Sequence, residues 1–299
     1  MDAGSTDGSR EAALSHGARI IEAPRASGNQ EYQKGLGIRE AGGEFVLLVD
    51  SDNFLPDSAW VLRRLRALDA HPEAAAASPL RYAVSGGLSP LNRYFALMGA
   101  NDPVAYYLNK RDRLSWAEEG WPLLGKAEDK GDYFLVDFDP QRFPTVGANG
   151  YMVRRRLLNE AGAGPENFFD IDCACDLARR GHSRHVFLKD EIIHETAQTL
   201  PSFLAKRFRY MLKHHHEKGH IRRWSLVGKA DLPRLFLFVV YALTLIVPFV
   251  DAWKGWRKKR DTAWFLNPIV CFGIAAVYSA GALWGAPGRL LRMGKGAAR

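Results

Sequence analysis

Along the first two thirds of the chain, short runs of apolar, β-rich residues alternate with stretches of helical period. Residues 11–14 read as helical and residues 18–23 as a short strand. Residues 30–41 read as a helix ended by Gly42 and Gly43. Phe45-Val-Leu-Leu-Val is then an unbroken apolar run that stops at Asp50-Ser-Asp-Asn. A run without polar alternation predicts a strand buried on both faces, in the centre of a parallel sheet. Residues 57–71 are amphipathic and helical, and residues 74–79 read as another buried strand. Residues 82–140 are irregular and aromatic-rich, and predict loops and helices inserted into the same domain. A strand and turn begin at Val146, helices follow over residues 154–161 and 170–180, and residues 185–188 read as a final strand. Strand and helix alternating in this way predict an α/β fold.

The end of the chain changes character. Residues 235–250 and 262–288 contain no charged side chain. A helix crossing a bilayer needs about 20 mainly apolar residues, so the second run is long enough. The first is borderline unless Leu232 and Trp253 extend it. Trp253, Trp256, Trp264 and Trp284 sit near the run ends, as interfacial anchors do. If both runs crossed, the basic residues 254–260 between them would lie on the far side, against the positive-inside tendency. A hairpin that dips in and returns, or one interfacial helix, keeps that charge on one face. Two buried core helices are the alternative.

The formal net charge of +8 is unevenly spread: carboxylates are frequent early, and residues 206–260 are crowded with Lys and Arg. Beside apolar runs such a belt suits anionic lipid headgroups. It lacks the interleaved base-stacking residues of a nucleic-acid surface, so no nucleic-acid partner is expected. The three cysteines, Cys173, Cys175 and Cys271, have neither disulfide-framework nor zinc spacing and are expected to be reduced thiols facing a cytosolic environment. No apolar leader follows Met1.

The sharpest chemical feature is Asp50-Ser-Asp52 at the carboxyl end of a buried strand, where open α/β sheets bind ligands. Two carboxylates spaced in this way can face one hard cation, which is usually completed by substrate phosphates. Asp and Asn are also common in turns after strands.

Context adds to that reading. The chain resembles family 2 glycosyltransferases of the GT-A type. The resemblance rests on Asp2-Ala-Gly-Ser-Thr-Asp-Gly-Ser and on Gly37-Ile-x-x-Ala-Gly-Gly-Glu-Phe-Val-Leu-Leu-Val-Asp-Ser-Asp-Asn. It continues in Gly147-Ala-Asn-Gly-Tyr-x-Val-Arg-Arg, Phe169-Asp-Ile-Asp, Gly181-His and the distal His194. These pieces, in order, span about residues 1 to 200. The resemblance implies a Rossmann-like GT-A nucleotide-diphospho-sugar transferase fold. It puts Asp2 and Asp7 in the nucleoside motif, and Asp50 and Asp52 in the D-x-D that binds Mn²⁺ or Mg²⁺ at the donor diphosphate. It makes His194 a further metal or diphosphate ligand, with a satisfied structural histidine as the alternative. Asp170 falls where the catalytic base usually sits, able to accept the proton of an acceptor hydroxyl; a helix N-cap is its structural alternative. Gly147 and Asn149 bring backbone close to a sugar, or form a plain tight turn. Arg207 and Arg209 match a basic-aromatic segment that binds a diphosphate or lipid phosphate, with a solvated helix as the alternative. His214-His-His216 reads as a basic surface cluster, since adjacent helical residues point apart. No chemistry is assigned to Asn92, Asn101 or Asp112.

The chain departs from the family pattern in places. It lacks the family's opening strand and Pro-x-Tyr-Asn turn, so a truncated start is expected. It carries Phe169 where Glu is common, and Lys206-Arg-Phe-Arg-Tyr in place of Gln-x-x-Arg-Trp. The expected organisation is a transferase domain over residues 1–205, a basic juxtamembrane segment over 206–234, two apolar transmembrane or membrane-associated helices over 235–288, and a basic tail over 289–299. The expected function is metal-dependent, inverting transfer from a nucleotide sugar to a glycan or polyprenyl-linked acceptor in cell-envelope or lipid-linked glycan synthesis. The domain would lie on the cytoplasmic face of a membrane and touch its lipids. The alternatives are an inactive, membrane-attached binding protein of the same fold and a nucleotidyltransferase.

Overall fold

The structure, a computed structural model, describes residues 1–23, 30–212 and 222–296, with side chains as far as residue 282. The elements in chain order are α1 (Ser9–Ser15), α2 (Gln30–Glu40), β1 (Phe45–Leu48), β2 (Asn53–Phe54), α3 (Trp60–Ala70) and β3 (Ala76–Tyr82). Next come α4 (Pro90–Met98), α5 (Pro103–Tyr107), β4 (Lys126–Asp129), β5 (Tyr133–Asp137), β6 (Tyr151–Arg154), α6 (Arg155–Glu160) and α7 (Asp170–Arg179). The chain ends with β7 (Arg184–His194), α8 (Leu200–Met211), α9 (Leu232–Thr244), α10 (Ile246–Lys258) and α11 (Asn267–Gly296). Two compact units form: residues 1–50, 58–78 and 125–188, and residues 51–57, 79–124 and 189–299.

The first unit is α/β. The sheet order is β1-β6-β3-β7-β5-β4. β6 runs antiparallel to both β1 and β3, and β5 runs antiparallel to β4 and β7. Ala75 N donates to Arg184 O and Ala83 N to Ile192 O, a constant offset that runs β3 and β7 in the same direction. The sheet is therefore mixed, and β1 ends the order among the described strands instead of lying in the centre of a parallel sheet. An apolar run does not report strand direction, and the expected burial on both faces holds only in part: Val46 and Leu48 are buried, Phe45 and Leu47 are half-buried, and Val49 is 43% exposed. Ala67, Leu68, Ala74, Ala77, Met152, Val186 and Leu188 make the core under α3. Asp2 and Glu22 form only an isolated parallel bridge. The hairpin β4–β5 went unread in the irregular stretch; Asp129 Oδ1 accepts from Gly131 N at its turn, where Gly131 has φ 84°.

The second unit is mostly helical. Ser89 caps α4, with Pro90 in its first turn and Gly99 closing it in the left-handed region. Asp102 caps α5, followed by Pro103. These two helices pack into one core with α8, α9, α10 and α11, through Leu91, Phe95, Phe203, Phe238, Trp264 and Ile274 among others. Trp264 is fully buried over Gly255, and its indole N–H donates to Lys259 O at 3.0 Å. It is a core residue, not the interfacial anchor its position suggested. The predicted apolar run 235–250 does not form one helix. It breaks at Leu245, which has φ 62°, and α9 and α10 are bent by 84° there. Thr262–Ala282 is a single helical stretch long and apolar enough to cross a bilayer. Cys173, Cys175 and Cys271 are buried free thiols.

Candidate functional site

The candidate residues fall in both units. In the first unit, the opening motif folds back on itself. Asp2 accepts hydrogen bonds from Gly4 N, from Ser5 N and Oγ, and from Arg10. The Ser5 bonds lead in lowering its carboxyl to about 2. Arg10 also reaches Glu22 at 2.8 Å. Asp7 is exposed and accepts from Ser9 N; the Ser9 hydroxyl first, and then that N–H, hold its carboxyl below the ordinary range.

Asp50 and Asp170 meet at a residue that sequence reasoning passed over. The ammonium of Lys34, on α2, lies 2.9 Å from Asp50 Oδ1, 3.1 Å from its Oδ2 and 2.6 Å from Asp170 Oδ2. Burial pushes the Lys34 ammonium toward neutrality, but Asp170, Asp50 and Glu31 oppose it more strongly, and its pKa ends well above the lysine range. The same helix face brings Glu31, one turn earlier, to the start of α7, where its Oε2 accepts Asp170 N at 3.2 Å. Gly35 must be small because a side chain there would meet the backbone of Gly164 and Pro165 at 2.7 Å. The signal was present in the sequence: Glu31, Lys34 and Ile38 share one helix face, and Ile38 is buried.

Asp170 is not the N-cap of α7. Phe169 holds that position and makes no side-chain cap bond, so Asp170 is the first helical residue, with its carboxylate at the positive end of the helix dipole. Its side chain is 10% exposed. Asp172 is fully buried. Gly147, at φ 138°, is fixed by the same helix start: a Cβ there would stand 2.4 Å from the Asp170 carbonyl oxygen. Asn149, at φ 54°, is buried in the turn that follows. An open hollow lined by Gly42, Glu44, Arg154, Arg155 and Asn159 contains none of the candidate residues. The Arg154 guanidinium there is already bonded to the carbonyls of Leu68 and Ala74.

In the second unit, β2 pairs antiparallel with the end of β7, Asn53 opposite His194 and Phe54 opposite Ile193. Glu195 N also donates to Asp52 O at 2.9 Å. This short ladder puts the carboxylate of Asp52 against the imidazole of His194, with Oδ2 and Nε2 3.5 Å apart. Burial works against ionisation of Asp52, but the hydrogen bond from His194, its charge and that of Lys206 prevail, and the carboxyl stays below its usual range. Thr196 Oγ1 lies 3.2 Å from the His194 ring and donates to Asn101 Oδ1. The Tyr82 ring stands 5.4 Å from that imidazole. The pair fits a hard cation as a partial ligand set: one carboxylate, 32% exposed, and one imidazole, with the remaining positions left to phosphate and water. Among the described residues no group of three or more His, Cys, Asp or Glu side chains converges as a complete cage.

Arg207 bonds the carbonyl of Asn101, stands 4.0 Å from Asp102 and stacks 5.1 Å over the Phe203 ring. Arg209 is exposed on the same helix. Asn92 accepts from Ala197 N, and Asp112 accepts from the Tyr82 hydroxyl, so both serve the packing of the unit. His214-His-His216 lies outside the described residues.

The model of glycosyl transferase family 2 matches residues 1–120. Among solved structures, the chain is similar to the mannosyltransferase PcManGT from Pyrobaculum calidifontis in complex with GDP-Man and Mn²⁺. The identity is 18%, the match covers 99% of this chain and 69% of that one, and the TM-score is 0.43. It is also similar to a crystal structure of a mycobacterial protein at 16% identity, over 69% of this chain and 59% of that one, with a TM-score of 0.39. No curated protein matches the chain.

Proposed function

We propose that the chain, whose residues 1–120 match the model of glycosyl transferase family 2, moves a sugar from a nucleotide-diphosphate donor to an acceptor hydroxyl, with inversion, on a GT-A fold. The observation that carries this reading is the β2–β7 ladder, which sets Asp52 of the D-x-D against His194. These two side chains would hold Mn²⁺ or Mg²⁺. When bound, such a cation screens the diphosphate leaving group and acts as a Lewis acid.

The other roles follow from the chain's own groups. Asp170 takes the proton of the attacking hydroxyl. Lys34 and Asp50 keep its carboxylate in one rotamer, and Glu31 and Gly147 fix the backbone beneath it. Preorganisation of this kind spares the reaction the cost of orienting the base. Asp2, Asp7 and the Gly147–Asn149 turn line the donor side. Arg207 and Arg209 neutralise phosphate, with Arg209 the more accessible. The apolar C-terminal helices attach the chain to a membrane on its cytoplasmic face, which suits a polyprenyl-linked or cell-envelope glycan acceptor.

Calorimetry with UDP and GDP, with and without Mn²⁺, tests the reading on the intact chain and on Asp52→Ala. The expected result is metal-dependent binding of one nucleotide that Asp52→Ala abolishes. Binding of neither nucleotide in either condition would overturn the transferase reading.

A further inference from the structure

The helices α9 and α10 each have 13 residues, about 20 Å of helix, too short to cross a hydrocarbon core of about 30 Å. Joined end to end they would be long enough, but the 84° bend at Leu245 prevents that. With the bend shared equally between the legs, the apex lies about 13 Å below their outer ends, within one leaflet.

The side chains follow the same geometry. Phe236, Leu237, Val240 and Leu243 on α9, and Ile246, Phe249, Val250 and Trp253 on α10, recur every three or four residues and are all exposed. They form an apolar stripe that runs through the bend. Its most exposed members near the apex are Leu243 at 63% and Ile246 at 66%. The basic side chains are at the outer ends: Lys229 just before α9, Arg234 in its first turn, and Lys254, Arg257 and Lys258 at the end of α10; the one charged residue between them, Asp251, is half-buried and accepts from the Tyr107 hydroxyl at 3.1 Å. Lys258 also stands 3.9 Å from Glu119. The bend residue is informative in its own right. A leucine at φ 62° is strained where a glycine would be relaxed. The leucine keeps an exposed apolar side chain at the tip, while its N–H donates to Tyr241 O and its carbonyl accepts from Phe249 N, so it ends one helix and starts the next.

We infer that α9 and α10 form a re-entrant wedge that enters one leaflet apex-first and returns to the same face, with the basic residues at both outer ends on anionic lipid headgroups. The occupant of the apolar stripe is lipid. A protein partner would not account for basic residues at both outer ends and an uncharged run from residue 235 to residue 250 through the apex, which is the profile of an interface and a hydrocarbon layer. The inference rests on the membrane attachment proposed above and specifies its geometry.

The test uses the full chain with single cysteines introduced at Phe236, Leu243, Ile246, Trp253, Lys229 and Lys258. The parent chain, with its buried thiols, is the blank. Each variant is added to sealed vesicles of anionic and zwitterionic phospholipid. An environment-sensitive thiol label, quenched by spin-labelled lipids at two depths, should put Leu243 and Ile246 deepest, with Phe236 and Trp253 shallower on both sides. Unlabelled cysteines at positions 229 and 258 should both react with an impermeant maleimide from the outside. Ile246→Asp should weaken vesicle partitioning by about tenfold or more.

Protection of one outer end with exposure of the other would mean that the pair crosses, and would overturn the wedge. So would vesicle binding with Leu243 and Ile246 left in water, as expected if α11 alone attached the chain. Labels at the apex that become buried without lipid would assign the stripe to a second copy and reject the inference. No vesicle binding by the parent chain would remove the membrane reading and the wedge together, and leave the donor-binding experiment untouched.

Discussion

Lys34→Met removes a buried ammonium from between two carboxylates while nearly preserving side-chain length. The two contacts bring an oxygen of Asp50 and an oxygen of Asp170 within about 5.5 Å of each other. At an effective dielectric constant near 20, unit charges at that separation repel by about 3 kcal/mol. None of the three side chains is more than 22% exposed, so solvent relieves only part of this. Breaking one partner out of a buried pair costs about 3–5 kcal/mol. The lower end applies here because Asp50 keeps some access to water, and the expected loss is about 3 kcal/mol. Lys34→Arg should recover part of it, and Asp50→Asn in the Lys34→Met background should recover more, since it removes the repulsion. The folded pKa of Lys34 is raised, so its contribution is complete below the unfolded value near 10.4 and is lost only as pH rises through the folded value. The deficit of Lys34→Met should therefore be equal at pH 6 and pH 8. Urea unfolding of the four chains measures it through the midpoints, with unchanged slopes. A loss below about 1 kcal/mol, or a double variant no more stable than Lys34→Met, would refute the picture of a lysine clamped between two charges.

Further predictions concern the same unit. Asp170→Asn should lower kcat by about 100-fold or more with little change in the donor KM; steady-state kinetics retaining a tenth of the rate would exclude Asp170 as the base. Gly147→Ala should cost about 2 kcal/mol or more, because the new Cβ meets the Asp170 carbonyl oxygen at 2.4 Å. A urea midpoint equal to that of the parent chain would mean that the loop yields instead. His185 is fully buried; its Nδ1 donates to Ser183 O at 3.0 Å, and its Nε2 accepts from the Tyr151 hydroxyl at 2.8 Å. Burial lowers its pKa to about 4, so the unfolded chain takes up the proton first and stability falls as pH drops from about 6.5 toward 4. Between pH 7 and 5 the loss from this group should be about 2 kcal/mol. Unfolding of His185→Gln at both pH values should lack that component, and an identical pH dependence in the two chains would assign it elsewhere.

The helix α7 and its first-turn carboxylates were legible in the sequence, as were the carboxylate doublet after an apolar run and the glycine at 147, because each rests on local chemistry: period, turn residues and spacing. The caps Ser89-Pro90 and Asp102-Pro103 were equally local, and reading them would have found α4 and α5 within the stretch taken as irregular. Other features depend on which distant segments meet, and no local pattern encodes that. An apolar run fits a central parallel strand and a strand paired antiparallel on one edge equally well, and the return path of β6 chose between them. Lys34 reads as an ordinary helix charge until Asp50 and Asp170 close on it from residues 16 and 136 positions away. Likewise, Asp52 acquires His194 only through the β2–β7 ladder, and Trp264 leaves the surface only because Gly255 makes room for it. Composition set how apolar the C-terminal helices are. Whether residues 235–250 form one straight helix was decided at Leu245, which takes a backbone conformation that a leucine disfavours while Phe238 and Ala242 on one side and Ala252 on the other pack into the helical core.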